Sequence, residues 1–159
     1  MATVSATPIS WSRIAVQTLA AGIVGGALID LYLVVTPLAS AHPGIMAIWT
    51  WVASTVFGKG MFANPNAPWF GLGVHAATSL AWAGAYAYVA ATQSYVRQRW
   101  YISGPVYGLV VYMLMQIVLL VSGSFEYPHS PNDFVSALIA HAVFFGLPVA
   151  FVVNALDRG

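Results

Sequence analysis

Cysteine is absent from this chain. That excludes disulfides, thiolate metal sites and thiol nucleophiles. Charge is almost as scarce. Five Lys or Arg and four Asp or Glu make up 6% of the 159 residues, where soluble domains carry about a quarter. The net charge is +1 and no basic patch is formed, so nucleic acid is not an expected partner. There is also no HExxH, no phosphate loop and no Ser/His/Asp set at a useful spacing. The chain therefore reads as non-enzymatic. No basic segment precedes the first apolar run and no cleavage site interrupts it, so that run reads as a retained helix rather than a signal peptide.

What remains is hydrophobic. Sixty per cent of the residues are apolar or aromatic and the mean hydropathy is +0.80. The expected partner is a lipid bilayer. The expected fold is an all-α integral membrane protein, a single membrane domain over residues 1–159. Runs long enough to span lie at about 12–38, 69–92, 104–122 and 134–154, giving a four-transmembrane-helix bundle. The run at about 45–57 is too short to cross at ~1.5 Å per residue. It carries Trp49 and Trp51, residues that favour the membrane interface, and reads as an interfacial or re-entrant helix between spans one and two. Pro105 is expected in the first turn of the third span, and Asn132 or Asp133 as the N-cap of the fourth. Pro148 should kink the fourth span and leave a carbonyl near Phe144 without its usual partner. Gly22 and Gly26 form a GxxxG match, read first as a helix-packing face.

Orientation follows from the basic residues. Arg13, Arg97, Arg99 and Arg158 fall on one side of this topology and Lys59 on the other. The positive-inside rule then makes both termini cytoplasmic. With the directions set, depths can be compared. His141 lies ~12 Å and His75 ~9 Å in from the outer ends of their spans, with Asp30 ~12 Å and Gln116 ~9 Å below theirs. Each span thus offers one strongly polar group to the same layer of the outer half. Ser79 and Tyr86 share a helix face with His75, and Tyr112 shares one with Gln116, so these three are secondary candidates. His42, Glu126, His129 and Asp133 are candidates in the outer loops.

Three readings of this layer stay open. It is a structural hydrogen-bond network, because unpaired groups in hydrocarbon are costly. It holds or relays protons through an Asp–His pair reached from outside. Or it binds a ligand, with His75 and His141 as axial ligands of a b-type haem and nearby glycines making room, or Asp30, His75 and His141 around a divalent metal. A further alternative makes the chain an accessory subunit or homo-oligomer, with its glycine faces against a membrane partner.

The segments GLGVHAATSLAWAGAYAYV, GPVYGLVVYMLMQIVLLVSG and AHAVFFGLPVAFVVNAL resemble the YagU-like family of small bacterial inner-membrane proteins. The residues that carry the likeness are His75, then Gly104, Tyr107, Gly108 and Tyr112, then His141 with Gly146. WTWVASTVFGKG resembles the segment that precedes the histidine span in that family, and the likeness covers about Pro43 to Leu156. The loop with Pro128, His129 and Pro131 is shorter than the family's. The resemblance implies a four-helix bundle in a bacterial cytoplasmic membrane and a loose connection to acid stress, without an activity.

Overall fold

The computed structural model describes residues 9–36, 44–124 and 131–158. Among the described residues it is helical with no strand. Helix α1 is Trp11–Val35, α2 Ile45–Phe57, α3 Ala67–Thr92, α4 Ser94–Gln98, α5 Trp100–Val121, α6 Pro131–Ile139 and α7 Leu147–Asp157. A 3-10 turn, Lys59–Ala63, follows α2, and a π-helical segment, Ala140–Gly146, joins α6 to α7 without a break. Three helical runs are long and apolar enough to cross a membrane. They are Trp11–Val35, Trp100–Val121 and Pro131–Asp157, with mean hydropathies of 2.0, 2.0 and 2.1. The fourth expected span, α3, is as long as the others but is not among these three.

The helices are built as lipid requires, with backbone groups bonded along the helix. Between 22% and 28% of the most apolar window in each of the three runs is buried. Most of their large side chains therefore point outward, as Val16, Leu19 and Ile23 do on α1 and Met113 and Ile117 on α5. The inward faces are lined with small residues instead. On α1 the buried stripe is Ile14, Gln17, Ala21, Gly22, Gly25, Gly26 and Ile29, recurring at helical spacing. Gly22 and Gly26 face Leu80 and Ser79 of α3, and Gly25 faces Phe145 and Val149. The GxxxG face is thus spent inside the chain, which removes it as support for a partner subunit.

Several boundaries differ from those read off the sequence. Helix α1 stops at Val35, and Thr36 is extended with φ −101° and ψ 165°, the conformation that a following proline, here Pro37, imposes. Helix α5 begins at Trp100, so Pro105 lies in its second turn rather than its first. Helix α6 begins at Pro131. Asn132 and Asp133 therefore occupy its first turn instead of the cap, where the Asp133 carboxylate complements the helix dipole. The sequence did delimit α2, and two glycines explain its sharp ends. Gly44 and Gly58 flank it at φ +87° and +86°, a region L side chains rarely adopt, and the Gly58 N–H closes the last turn on the Ser54 carbonyl.

Ahead of Pro148 the helix widens. Over Ala140–Gly146 the chain adopts π-helical spacing, and the Leu147 N–H reaches five residues back to the Ala142 carbonyl. The wider turn needs room, which glycines on both helices provide. A Cβ on Gly108 would overlap the carbonyl oxygen of His141, and one on Gly146 would overlap the carbonyl of Gly104. Backbone rests on backbone along this seam.

The ends of the helices can be matched from contacts. Arg13 and Arg97 reach the two carboxylate oxygens of Asp157 at 3.4 and 3.2 Å. The start of α1, the α3–α5 connection and the end of α7 therefore share one end, while α2 and its turn lie toward the other. Near the shared end the Gln17 side-chain amide donates to the Val153 carbonyl at 3.1 Å and is buried.

Candidate functional site

Helices α3 and α5 are consecutive long helices, yet they meet only near the end where α4 joins them. The Tyr86 hydroxyl donates to Ser103 Oγ at 2.8 Å, and Ser103 in turn donates to the Val96 carbonyl at 2.8 Å. The Tyr107 hydroxyl donates to the Trp82 carbonyl, and its ring packs edge-on against Tyr86 with centroids 5.1 Å apart. Beyond this clasp the two helices separate, and α2, packed on α3, closes the far end. Trp49 presses its carbonyl against Gly71, where no Cβ would fit, and Ser124 Oγ reaches the Thr55 carbonyl at 3.4 Å. The space left between them is a cavity of about 620 Å³ with mostly apolar walls.

Asp30, His75, Gln116 and His141, the four layer residues, all line this cavity. They come from α1, α3, α5 and the π segment. Asp30 and His75 form the one close pair. His75 Nε2 lies 3.4 Å from Asp30 Oδ1 and 3.3 Å from the Gly26 carbonyl. A carbonyl only accepts, so Nε2 carries the hydrogen and gives it to Gly26. Asp30 Oδ1 is left buried without a hydrogen-bond partner. Asp30 Oδ2 accepts from the Trp49 indole N–H at 3.2 Å. The Trp49 indole N–H, which the sequence offered only as an interfacial group, is thus committed to the carboxylate. Trp51, two residues further along α2, lines the cavity.

His141 lines the cavity from the π segment. Its Nδ1 lies 2.8 Å from the Ala137 carbonyl, which fixes the hydrogen on Nδ1 and leaves Nε2 as an acceptor. Tyr112 packs edge-on against the imidazole, centroids 5.1 Å apart. Among the described residues neither His141 Nε2 nor the Gln116 amide has a hydrogen-bond partner. The cavity wall thus carries a half-satisfied carboxylate, an open imidazole nitrogen and an open amide.

The secondary candidates divide. Ser79 lines the cavity and packs against Gly26. It is its neighbour Thr78 that bonds back to a helix carbonyl, Val74, at 2.8 Å. Tyr86 belongs to the clasp and Tyr112 supports His141 from behind; neither is on the cavity wall. Asp133 lies in the first turn of α6, off that wall as well. His42, Glu126 and His129 fall outside the described residues.

The cofactor alternatives can be set against this geometry. Two imidazoles flanking a haem must both present a nitrogen to the space between them. His75 instead turns Nε2 toward α1, and the glycines expected to make room are filled by neighbouring helix backbone at Gly108 and Gly146. Among the described residues no three His, Cys, Asp or Glu side chains gather into a group that could hold a metal ion. Compared with protein-family models, with curated proteins and with solved structures, the chain has no match in any of the three.

Proposed function

We propose that this protein is a four-span, non-enzymatic membrane protein that binds a small ligand in the cavity between α3 and α5. The observation that carries the reading is the convergence of Asp30, His75, Gln116 and His141 on one apolar cavity of about 620 Å³. Ligand pockets characteristically have apolar walls, a few convergent polar groups and volumes of ~300–1,000 Å³. A purely structural network would satisfy its members, whereas Asp30 Oδ1 has no partner and Gln116 and His141 Nε2 keep free capacity among the described residues.

The fourth pass is assigned to α3. Its 26 residues extend ~39 Å at 1.5 Å per residue, enough to cross a bilayer core of about 30 Å. Its lower apolarity follows from the polar groups it turns to the cavity. Orientation is taken from Arg13, Arg97, Arg99 and Arg158 against Lys59. Both termini are then cytoplasmic and the cavity lies in the outer half of a bacterial cytoplasmic membrane. The YagU-like likeness supports this architecture and adds no activity to it. Proton handling by the Asp30–His75 pair is the second reading, favoured by their 3.4 Å approach.

The test is to fill the cavity. Met115 lines it and is half-buried, so Met115→Trp adds volume into existing space. The variant is expected to fold like the parent and to lose binding of lipophilic small molecules, measured by calorimetry in nanodiscs. Unchanged binding by the folded variant would place the ligand elsewhere.

A further inference from the structure

The polarity of the cavity wall specifies the chemistry of its occupant. This step rests on the binding function proposed above. Among the described residues the wall carries one carboxylate, Asp30, and no lysine or arginine. The hydrogen nearest Asp30 Oδ1 is committed elsewhere, since His75 Nε2 gives it to Gly26, and Oδ1 is buried without a partner. His141 Nε2, also on the wall, can only accept, because its Nδ1 hydrogen is bound to Ala137. Asp30 and His141 therefore both offer acceptors to the cavity, beside a Gln116 amide that can donate as well as accept. An anionic occupant would meet the Asp30 charge with no cation to offset it. A neutral alcohol could satisfy one acceptor and leave the carboxylate uncompensated, which is costly where water is excluded.

Two further features point the same way. Trp51, Trp82 and Phe145 contribute aromatic surface to the lining, and aromatic faces attract cations within ~6 Å of their centroids. The exposed residues that line the cavity are Val56, Ala77, Ala81, Val118 and Ser122, four of them apolar. A mostly apolar rim between two membrane helices favours an opening to lipid over one to water, so the occupant arrives dissolved in the bilayer.

We infer that the cavity takes a lipophilic ammonium ion, with its apolar body among α2, α3 and α5 and its N–H donors on Asp30 and His141. With the Trp49 indole on Oδ2, the bound ammonium on Oδ1 would then complete the hydrogen bonds of the Asp30 carboxylate, His75 lying beside it with its own hydrogen on Gly26.

The experiment uses the full chain in nanodiscs and three adamantanes of nearly equal shape, bearing an amine, a hydroxyl or a carboxylate. Calorimetric titrations are referenced to empty nanodiscs. Adamantylamine is expected to bind saturably and roughly tenfold tighter than adamantanol, a difference of about 1.4 kcal/mol, and adamantane carboxylate not at all. Asp30→Asn should abolish the preference for the amine, and Asp30→Glu should retain it. Equal binding of amine and alcohol, or a preference that survives Asp30→Asn, overturns the ammonium assignment and leaves the cavity intact as a binding site. Saturable binding of none of the three overturns the binding function itself. If Asp30→Asn does not fold, Asp30→Glu decides the matter by keeping or losing the preference.

Discussion

Gly108→Ala is expected to destabilise the protein by about 3 kcal/mol, at the upper end of overpacking costs, and Gly73→Ala to leave it unchanged or slightly more stable. Both glycines are in the interiors of long helices, and both substitutions add one methyl group. By helix propensity alone each should stabilise by ~0.8–1 kcal/mol. What differs is the neighbour. At Gly108 the new carbon would overlap the carbonyl oxygen of His141, whereas at Gly73 nothing lies within 4 Å. A flexible side chain could move aside, but a helix carbonyl cannot without moving its helix. Separation of α5 from the π segment would also open the cavity wall that carries His141. Thermal unfolding of the two variants in one detergent separates the effects. A Gly108→Ala protein as stable as the parent would mean that the two backbones do not touch.

Asp30→Asn is expected to do the reverse and raise stability by about 1 kcal/mol, of the order of a buried polar group left unsatisfied. The carboxylate is half-buried, is held by one indole N–H and leaves Oδ1 without a partner. The amide keeps an oxygen for Trp49 and removes the charge. If the polar layer were only a structural network, the same substitution would break an Asp–His pair and lower stability. The direction of the change in melting temperature therefore distinguishes a group retained for binding from one retained for folding. Gain of stability with loss of amine selectivity is the combination expected here, since binding sites commonly keep groups that folding alone would not.

Much of this arrangement was legible because lipid simplifies the reading. Apolar runs mark helices, and every polar residue within a run stands out. Asp30, His75, Gln116 and His141 could be ranked by depth once the arginines gave each run a direction, and all four line the cavity. The limits of α2 were legible because glycines bound it. Other features depend on contacts between distant parts of the chain. The π segment needs Pro148 together with the backbone seam at Gly104, Gly108 and Gly146, and no local pattern announces it. Gln17 lay outside the polar layer because its partner is a backbone carbonyl, Val153, which leaves no mark in sequence. The bond from Trp49 to Asp30 joins residues nineteen apart on two helices, and residue type alone does not announce it. The cavity is the hardest to foresee, since it arises from α3 and α5 failing to pack beyond the clasp at Tyr86 and Ser103. Sequence records side chains and says nothing direct about the space between helices.

That space is the centre of the account, and the absence of cysteine makes it directly accessible to thiol chemistry. Gln116→Cys would place the sole thiol on the cavity wall, and Ile117→Cys would place it one residue away on an outward face that is 56% exposed. The decisive measurement is the rate of modification of each variant by a membrane-permeant maleimide, with and without the tightest-binding adamantane. Both variants should react, and the ligand should slow the reaction at position 116 and not at 117. A Gln116→Cys variant that does not react, or that reacts equally fast with the ligand present, would contradict a ligand-holding cavity between α3 and α5.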